Sequence, residues 1–335
     1  MDGDDAPPLD PSLAPVLLFN CGRGGTGPEE ADDGGARLVY SIPKRRLLVA
    51  GGLKPFIDDV NWVTPQGWVL TLDPATRAAS LRDPYDTSRR VHLPPDAGNL
   101  LPSSVASTCV VSTPARRPSE EGSRVVLVIH LNEPVLCYCR PGGSRWFRHE
   151  YRPELLVDAN GHSHHTIIGR FAKLTAAPGD RFYVVLFNRL VILDFSPDPT
   201  FSSDLVAERP LPPAARYFHE AFLLEPCGEL FVVRFCYASQ RSFLSVEVHK
   251  LDRSKGTWAK ATGLSSNRVF LITSGQFGAS MPADVVGLDA NCIYFSNPVD
   301  KGLYVYNVEQ GTTTLHNPGV DVPDSIEPVL LMPIT

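Results

Sequence analysis

The chain has 335 residues, 43% of them hydrophobic and 20% charged, with a formal net charge of −6. That length holds one large all-β domain or two ordinary ones, and the charge supplies no phosphate-neutralising excess for a general nucleic-acid binder. No run approaches the roughly 18 apolar residues a membrane-spanning helix needs, so neither nucleic acid nor membrane is an expected partner.

The first segment, MDGDDAPPLDPSLAP, carries four aspartates and no arginine. A transit peptide is rich in Arg and Ser, and a secretory leader holds an apolar core. The expected compartment is therefore cytoplasm or nucleus, with an organelle disfavoured. Residues 1–15 read as a flexible acidic tail and 16–333 as one domain. VLLFN is a short strand, followed by CGRGGTGPEEADDGG. A phosphate cradle would need a helix after its glycines; the acidic sequel argues against one.

From residue 37 onward, short β-prone runs alternate with turn clusters, punctuated by 31 prolines and 26 glycines. No long window shows helical apolar spacing, so the chain reads as all-β. NWV, GWVLTLD, AASLRD and RRVHLP make one unit of four strands. VASTCVV, RVVLVIHL, PVLCYCR and SRWFRHEY make the next. TIIGRFAKL, RFYVVLF, RLVILDF and DLVAERPL follow, then HEAFLLE, GELFVVRFCY, FLSVEVHKLD and TWAKAT. ADVVGL, NCIYFSN, GLYVYNV and TTTLHN complete the series. Units of about 40–50 residues have the blade period of a β-propeller. A sixth blade assembles from the RLVYSIP and KRRLLVA hairpin, with VLLFN and the terminal PVLLMPI as its other strands. Pairing the chain ends would close the ring and remove an exposed sheet edge. Six four-stranded blades are expected; RVFLITS, within 259–282, leaves a seventh open.

Five phrases, GWVLTLDPATRAASLRDPYDTSRRVHLP, RVVLVIHLNEPVLCYCRPGGSRWFRH, CGELFVVRF, VEVHKLDRSKGTWAKAT and NCIYFSNP, stand in an order that resembles the plant KIB-type β-propeller family. These are F-box-associated proteins long described as a domain of unknown function, and the resemblance runs from about residue 38 to 316. Many members resemble ubiquitin-ligase receptors, in which an F-box docks on a Skp1-type adaptor and the propeller captures the substrate. Here an acidic, Pro-rich segment stands where an F-box would, so binding to a Skp1-type adaptor is not expected.

The seven cysteines lie largely in apolar runs and read as buried reduced thiols. Trp62, Trp68, Trp146 and Trp258 read as interior packing, recurring from blade to blade. In NGHSHH, His162, His164 and His165 are metal-capable, but no further pair completes a zinc spacing; they read instead as a His-rich loop. No nucleophile elbow appears. Asp83, Asp194, Glu229 and Asp252 are the carboxylates that a glycan-processing propeller would need to pair. The basic clusters Lys44-Arg45-Arg46, Arg89-Arg90 and Arg116-Arg117 offer an acidic partner a docking place if loops gather them on one rim.

The reading is a non-catalytic interaction module with no cofactor and no metal, binding a protein partner of unknown identity. The alternatives are a ligase subunit that borrows its adaptor contact from another chain, and a small-ligand or glycan-binding propeller. The connections between blades, 94–104, 151–165, 196–218 and 261–282, are long, and long loops tend to serve a function. The expected contact residues are His162, His164, His165, Arg216, Tyr217 and Phe218, since binding hot spots favour Arg and aromatic side chains.

Overall fold

The structure is a computed structural model and describes residues 9–20, 37–50, 60–112, 124–153, 156, 164–171, 173–196, 198–207, 219–239, 242–265, 267–273, 277–296, 302–316 and 328–334. Its strands repeat one gradient of burial. VLVIH and VLCYC are buried almost throughout, whereas the strand that closes the same sheet, FRHE, is largely exposed. A continuous apolar run is what a strand covered on both faces requires.

Six sheets form a ring of blades. Blade one orders β25 (Val329–Leu331), β1 (Val16–Asn20), β2 (Arg37–Ser41) and β3 (Arg46–Ala50). Blade two is β4 (Asn61–Val63), β5 (Val69–Leu72), β6 (Ala79–Arg82) and β7 (Arg90–His92). Blade three is β8 (Ser107–Val111), β9 (Val126–His130), β10 (Val135–Cys139) and β11 (Phe147–Glu150). After helix α1 (His164–Phe171), blade four is β12 (Thr175–Ala177), β13 (Arg181–Leu186), β14 (Arg189–Asp194) and β15 (Thr200–Leu205). Blade five is β16 (His219–Leu224), β17 (Phe231–Ser239), β18 (Ser242–Asp252) and β19 (Thr257–Lys260). Blade six holds β20 (Arg268–Thr273), β21 (Gly278–Pro282), β22 (Cys292–Ser296), β23 (Leu303–Asn307) and β24 (Thr312–His316), with the short helix α2 (Ala283–Val286) between β21 and β22.

The ring closes as expected. Val16 pairs with Leu331 and Leu18 with Val329, which makes the last strand the innermost of blade one. The Tyr85 hydroxyl of blade two donates to the Leu331 carbonyl at 2.8 Å. Apolar clusters fill the joints. They lie between blades one and two, two and three, three and four, four and five, five and six, and six and one. Trp62, Trp68 and Trp146 are buried in one of them, while Trp258 is only partly buried. Cys137 and Cys139 face the same cluster, two residues apart on one strand.

Turn chemistry sets the spacing of the strands. In DPATR, Asp73 accepts from the Ala75 and Thr76 N–H groups, both at 2.8 Å. In DRSKG, Asp252 accepts from Ser254, and in NVEQG Asn307 accepts from Gln310. An Asx side chain that holds its own turn leaves the next residues free to enter a left-handed conformation.

Five expectations need correction. TIIGRFAKL is helix rather than strand over its first part: Ile167, Ile168 and Phe171 fall on one helical face and are all buried, and Thr175–Ala177 takes the inner-strand place. ADVVGL is a helical turn, ended by Gly287 at φ 63°. RVFLITS is an extra strand, but it joins blade six, pairing parallel to β22 and antiparallel to β21. That sheet has five strands, and no seventh blade forms among the described residues. The outer strand of blade four lies at Thr200–Leu205, ahead of its expected place at DLVAERPL. Finally, residues 9–15, expected in a flexible tail, are packed: Leu9 and Leu13 are buried, and the Leu9 N–H donates to the Pro84 carbonyl. Apolar side chains placed every fourth residue outweighed the local Asp/Pro signal.

Among the described residues, no helix is long and apolar enough to cross a membrane.

Candidate functional site

Antiparallel neighbours divide the turns between two faces of the ring. Connections from one blade to the next share a face with the turns between second and third strands. The turns between first and second, and between third and fourth, lie opposite. Blade six departs from this rule through its parallel pair.

On the first face, His164 and His165 open α1. His162, Arg216, Tyr217 and Phe218 lie outside the described residues. The expected loops are not uniform: 196–218 contains β15, and 261–282 contains β20 and β21. The connection 94–104 is pinned down. Asp96, 1% exposed, pairs with Arg77 and accepts from the Leu100 and Leu101 N–H groups at 2.7 and 3.2 Å. The Trp146 indole donates to the Pro94 carbonyl at 2.8 Å. Leaving such a buried carboxylate unpaired would cost several kcal/mol, so this loop is structural.

The described part of the face gathers its functional groups at blades four to six. Helix α1 buries Ile167, Ile168 and Phe171 and leaves Arg170 exposed, with its guanidinium 4.6 Å from the ring centroid of Phe187 in the turn between β13 and β14. Lys173, just before the inner strand β12, donates to Glu220 on the inner strand β16 at 2.8 Å and lies 4.9 Å from the Phe222 ring centroid. This pair bridges two neighbouring inner strands. Burial pushes Tyr237 up to about 12, and the Glu220 carboxylate adds to the shift.

Tyr237 stands on the hairpin of β17 and β18, which are 9 and 11 residues long. Their pairing runs beyond β16 and β19, with register shifts around Tyr237. A bulge of this kind bends a strand and re-aims its side chains. Here it carries an aromatic series: Tyr237 meets Phe243, Phe243 meets Phe295 and Tyr304, and Phe295 stacks on Tyr304 at 5.3 Å. Tyr237, Phe243 and Tyr304 are only partly buried. The two strands of this hairpin were expected from GELFVVRFCY and FLSVEVHKLD, but α1 and the hairpin's register shifts were not; the i,i+4 pair Ile167–Phe171 was the available signal for the helix.

The carboxylates proposed for catalysis are spread over three blades and engaged in structure. Asp83 accepts from the Tyr85 N–H at 2.9 Å, and Asp194 pairs with Arg181. Asp252 holds its own turn. Glu229 lines a groove of about 750 Å³ with Lys250, Asp252 and Ser265. It accepts from Lys250 and from the Ser265 hydroxyl, and these bonds hold its carboxyl below the usual range. Near it in sequence, Glu225 is pushed up to about 7 by burial, against the opposing pull of Arg253 and Arg268. Cys109, Cys137, Cys139, Cys236 and Cys292 are buried free thiols, and Cys227 is an exposed one. Among the described residues, no group of His, Cys, Asp and Glu is placed to hold a metal ion.

The sequence profile of the KIB1-4 beta-propeller family matches residues 39–308. Comparison with curated proteins gave no match. Among solved structures the chain is similar to TolB from Acinetobacter baumannii, at 10% identity over 96% of this chain and 67% of that one, with a TM-score of 0.43. It is also similar to a putative 6-phosphogluconolactonase from Bacteroides fragilis, at 11% identity over 96% and 99%, with a TM-score of 0.34. A third likeness, to the dihydro-heme d1 dehydrogenase NirN, has 12% identity and a TM-score of 0.37. It covers 92% of this chain, which spans 55% of that one. At such scores these likenesses say nothing about activity.

Proposed function

The chain belongs to the KIB1-4 β-propeller family, and from that premise we propose that it is a non-catalytic module of cytoplasm or nucleus that holds a protein partner. The partner sits on the face carrying the blade-to-blade connections, over blades four to six. A propeller brings loops from distant parts of the chain onto one rigid scaffold, which suits a broad contact surface. The observation that carries the reading is the concentration of Arg, Lys and aromatic side chains there: Arg170 on Phe187, Lys173 beside Glu220, and the partly buried Tyr237, Phe243 and Tyr304. Such side chains dominate binding energy when a partner desolvates them. His162, His164 and His165 fall in the connection between blades three and four, and Arg216, Tyr217 and Phe218 in that between four and five, and the proposal keeps them as contact residues.

The test is affinity capture from the source tissue with the intact chain and with Arg170→Ala, His165→Ala and Arg216→Ala. A stoichiometric protein partner is expected with the intact chain, weakened about tenfold or more by at least one substitution, as loss of a hot spot of about 2 kcal/mol would do. Folded variants that all hold the partner with unchanged affinity would overturn the placement. Saturable binding to a Skp1-type adaptor would favour the ligase reading instead.

A further inference from the structure

We propose a second docking surface on the opposite face, across blades one to three, that takes an Asp- and Glu-rich segment of a partner protein. Two of the basic clusters visible in the sequence meet there. Lys44 and Arg45 occupy the turn between β2 and β3, Arg46 opens β3, and Arg89 stands in the turn between β6 and β7. Both are turns between third and fourth strands of adjacent blades, and so open on one face. Arg124, from the connection between β8 and β9 of blade three, reaches the same place.

Residues 9–13 show how close these turns lie. The Leu9 N–H donates to the Pro84 carbonyl at 3.1 Å, at the start of the Arg89 turn. Three residues later the Ser12 hydroxyl accepts from the Lys44 ammonium at 2.6 Å. Three residues of extended chain span at most about 11 Å, so the two basic turns lie within the reach of one short peptide. On the other flank, the Arg89 and Arg124 guanidiniums lie 5.8 and 6.0 Å from the centroid of the same Trp68 ring.

The positive charge of this area is only partly matched, by Asp10 near Lys44 and Arg46 and by Asp83 and Asp86 near Arg89. Lys44 bonds a hydroxyl, not a carboxylate. Arg45 and Arg46 are exposed. Arg89 meets Asp83 only at 3.4 Å and keeps its side chain 51% exposed. Among the described residues, the buried Nε of Arg124 has no hydrogen-bond partner. The acids described nearby, Asp10, Asp83 and Asp86, accept from the Ser12, Tyr85 and Ser88 N–H groups and stay charged, three carboxylates against the five cations Lys44, Arg45, Arg46, Arg89 and Arg124. In a chain of net charge −6, a local cationic field steers an acidic partner to this one place. Arginine forks also match carboxylates in a two-point geometry that Lys lacks. This surface stands apart from the rim proposed above, and neither depends on the other.

The probe is a short fluorescent glutamate-rich peptide, titrated against the full chain at low and at physiological salt. Salt-sensitive, saturable binding is expected. The double charge reversal Lys44→Glu with Arg46→Glu should weaken it about tenfold or more. Arg89→Gln should weaken it in the same direction. The equal reversal Lys255→Glu with Lys260→Glu, in blade five, should leave it unchanged, and melting temperatures verify that each variant is folded. Equal losses from both double reversals would reduce the effect to net charge and overturn the site. So would a DNA duplex that binds more tightly than the peptide, or the absence of peptide binding to the intact chain. Binding that appears only after residues 1–8 are removed would make the chain's own Asp2, Asp4 and Asp5 the occupant and also overturn the partner reading.

Discussion

Gly67 stands in the turn between β4 and β5 at φ 87°, and a Cβ there would come 2.6 Å from the Pro333 carbonyl oxygen. Two demands fall on one residue: a left-handed backbone, and room for the chain leaving the closing strand. Either alone favours glycine. Gly67→Ala is therefore expected to cost about 2 kcal/mol or more, read as a lower urea midpoint at unchanged slope. An unaltered midpoint would mean that Pro333 can move away at no cost. Glu225 makes a different prediction. Its carboxyl titrates near 4.5 when unfolded and near 7 when folded, because burial penalises the charge. Between those values the folded state holds a proton that the unfolded state has released, so stability falls as pH rises through the window and levels off above it. Glu225→Gln removes the penalty and can still accept from the Gly228 N–H. It should raise the melting temperature at about pH 8 and lose that advantage towards about pH 4.5. An advantage of equal size at both ends would assign the effect to something other than this proton.

At the scale of the element, the closing strand carries the clearest prediction. β25 is fully buried, pairs with β1, and is bolted by Tyr85. A chain cut before β25 exposes an apolar inner edge on β1 and should aggregate or melt well below the intact protein; a cut chain with the original melting temperature would show that closure is dispensable. The terminal strands were legible in the sequence because VLLFN and PVLLMPI are short apolar runs without local partners. Most inner and middle strands were legible for a similar reason, being apolar runs bounded by Asp, Gly and Pro turns. Helix α1 was not. TIIGRFAKL is rich in β-branched residues, which favour strands, and eight residues are too few for a helical period to show against them. Contacts of Ile167 and Phe171 with blade four decide its form. The Lys173–Glu220 pair was illegible for another reason: its partners are 47 residues apart and meet only because inner strands converge. The basic clusters were visible as such, but only the alternation of turns between faces shows that Arg45 and Arg89 share one.

For the whole molecule, the placing of the core decides how it comes apart. Among the described residues, every apolar cluster lies between two blades, and none belongs to one blade alone. Phe195 of blade four packs on Tyr138 of blade three and on Phe182 of its own blade, and Phe235 of blade five packs on Phe295 of blade six. Removing one blade would strip two joints at once, and truncating even one such buried Phe costs about 3–5 kcal/mol. In a ring, the two neighbours would lose half their cover while keeping the entropy cost of their own order. Partial unfolding is thus expensive at every position, in contrast to a linear repeat array, where loss of an end repeat strips only one interface. Residues 16–333 are therefore expected to unfold in one cooperative step. Tryptophan fluorescence weights blades two and three, because Trp62, Trp68 and Trp146 lie there, whereas far-ultraviolet circular dichroism samples all six. In urea the two signals should fall on one transition curve. A fluorescence midpoint separated from the dichroism midpoint would show blades two and three parting from the rest, and with it a chain of two domains.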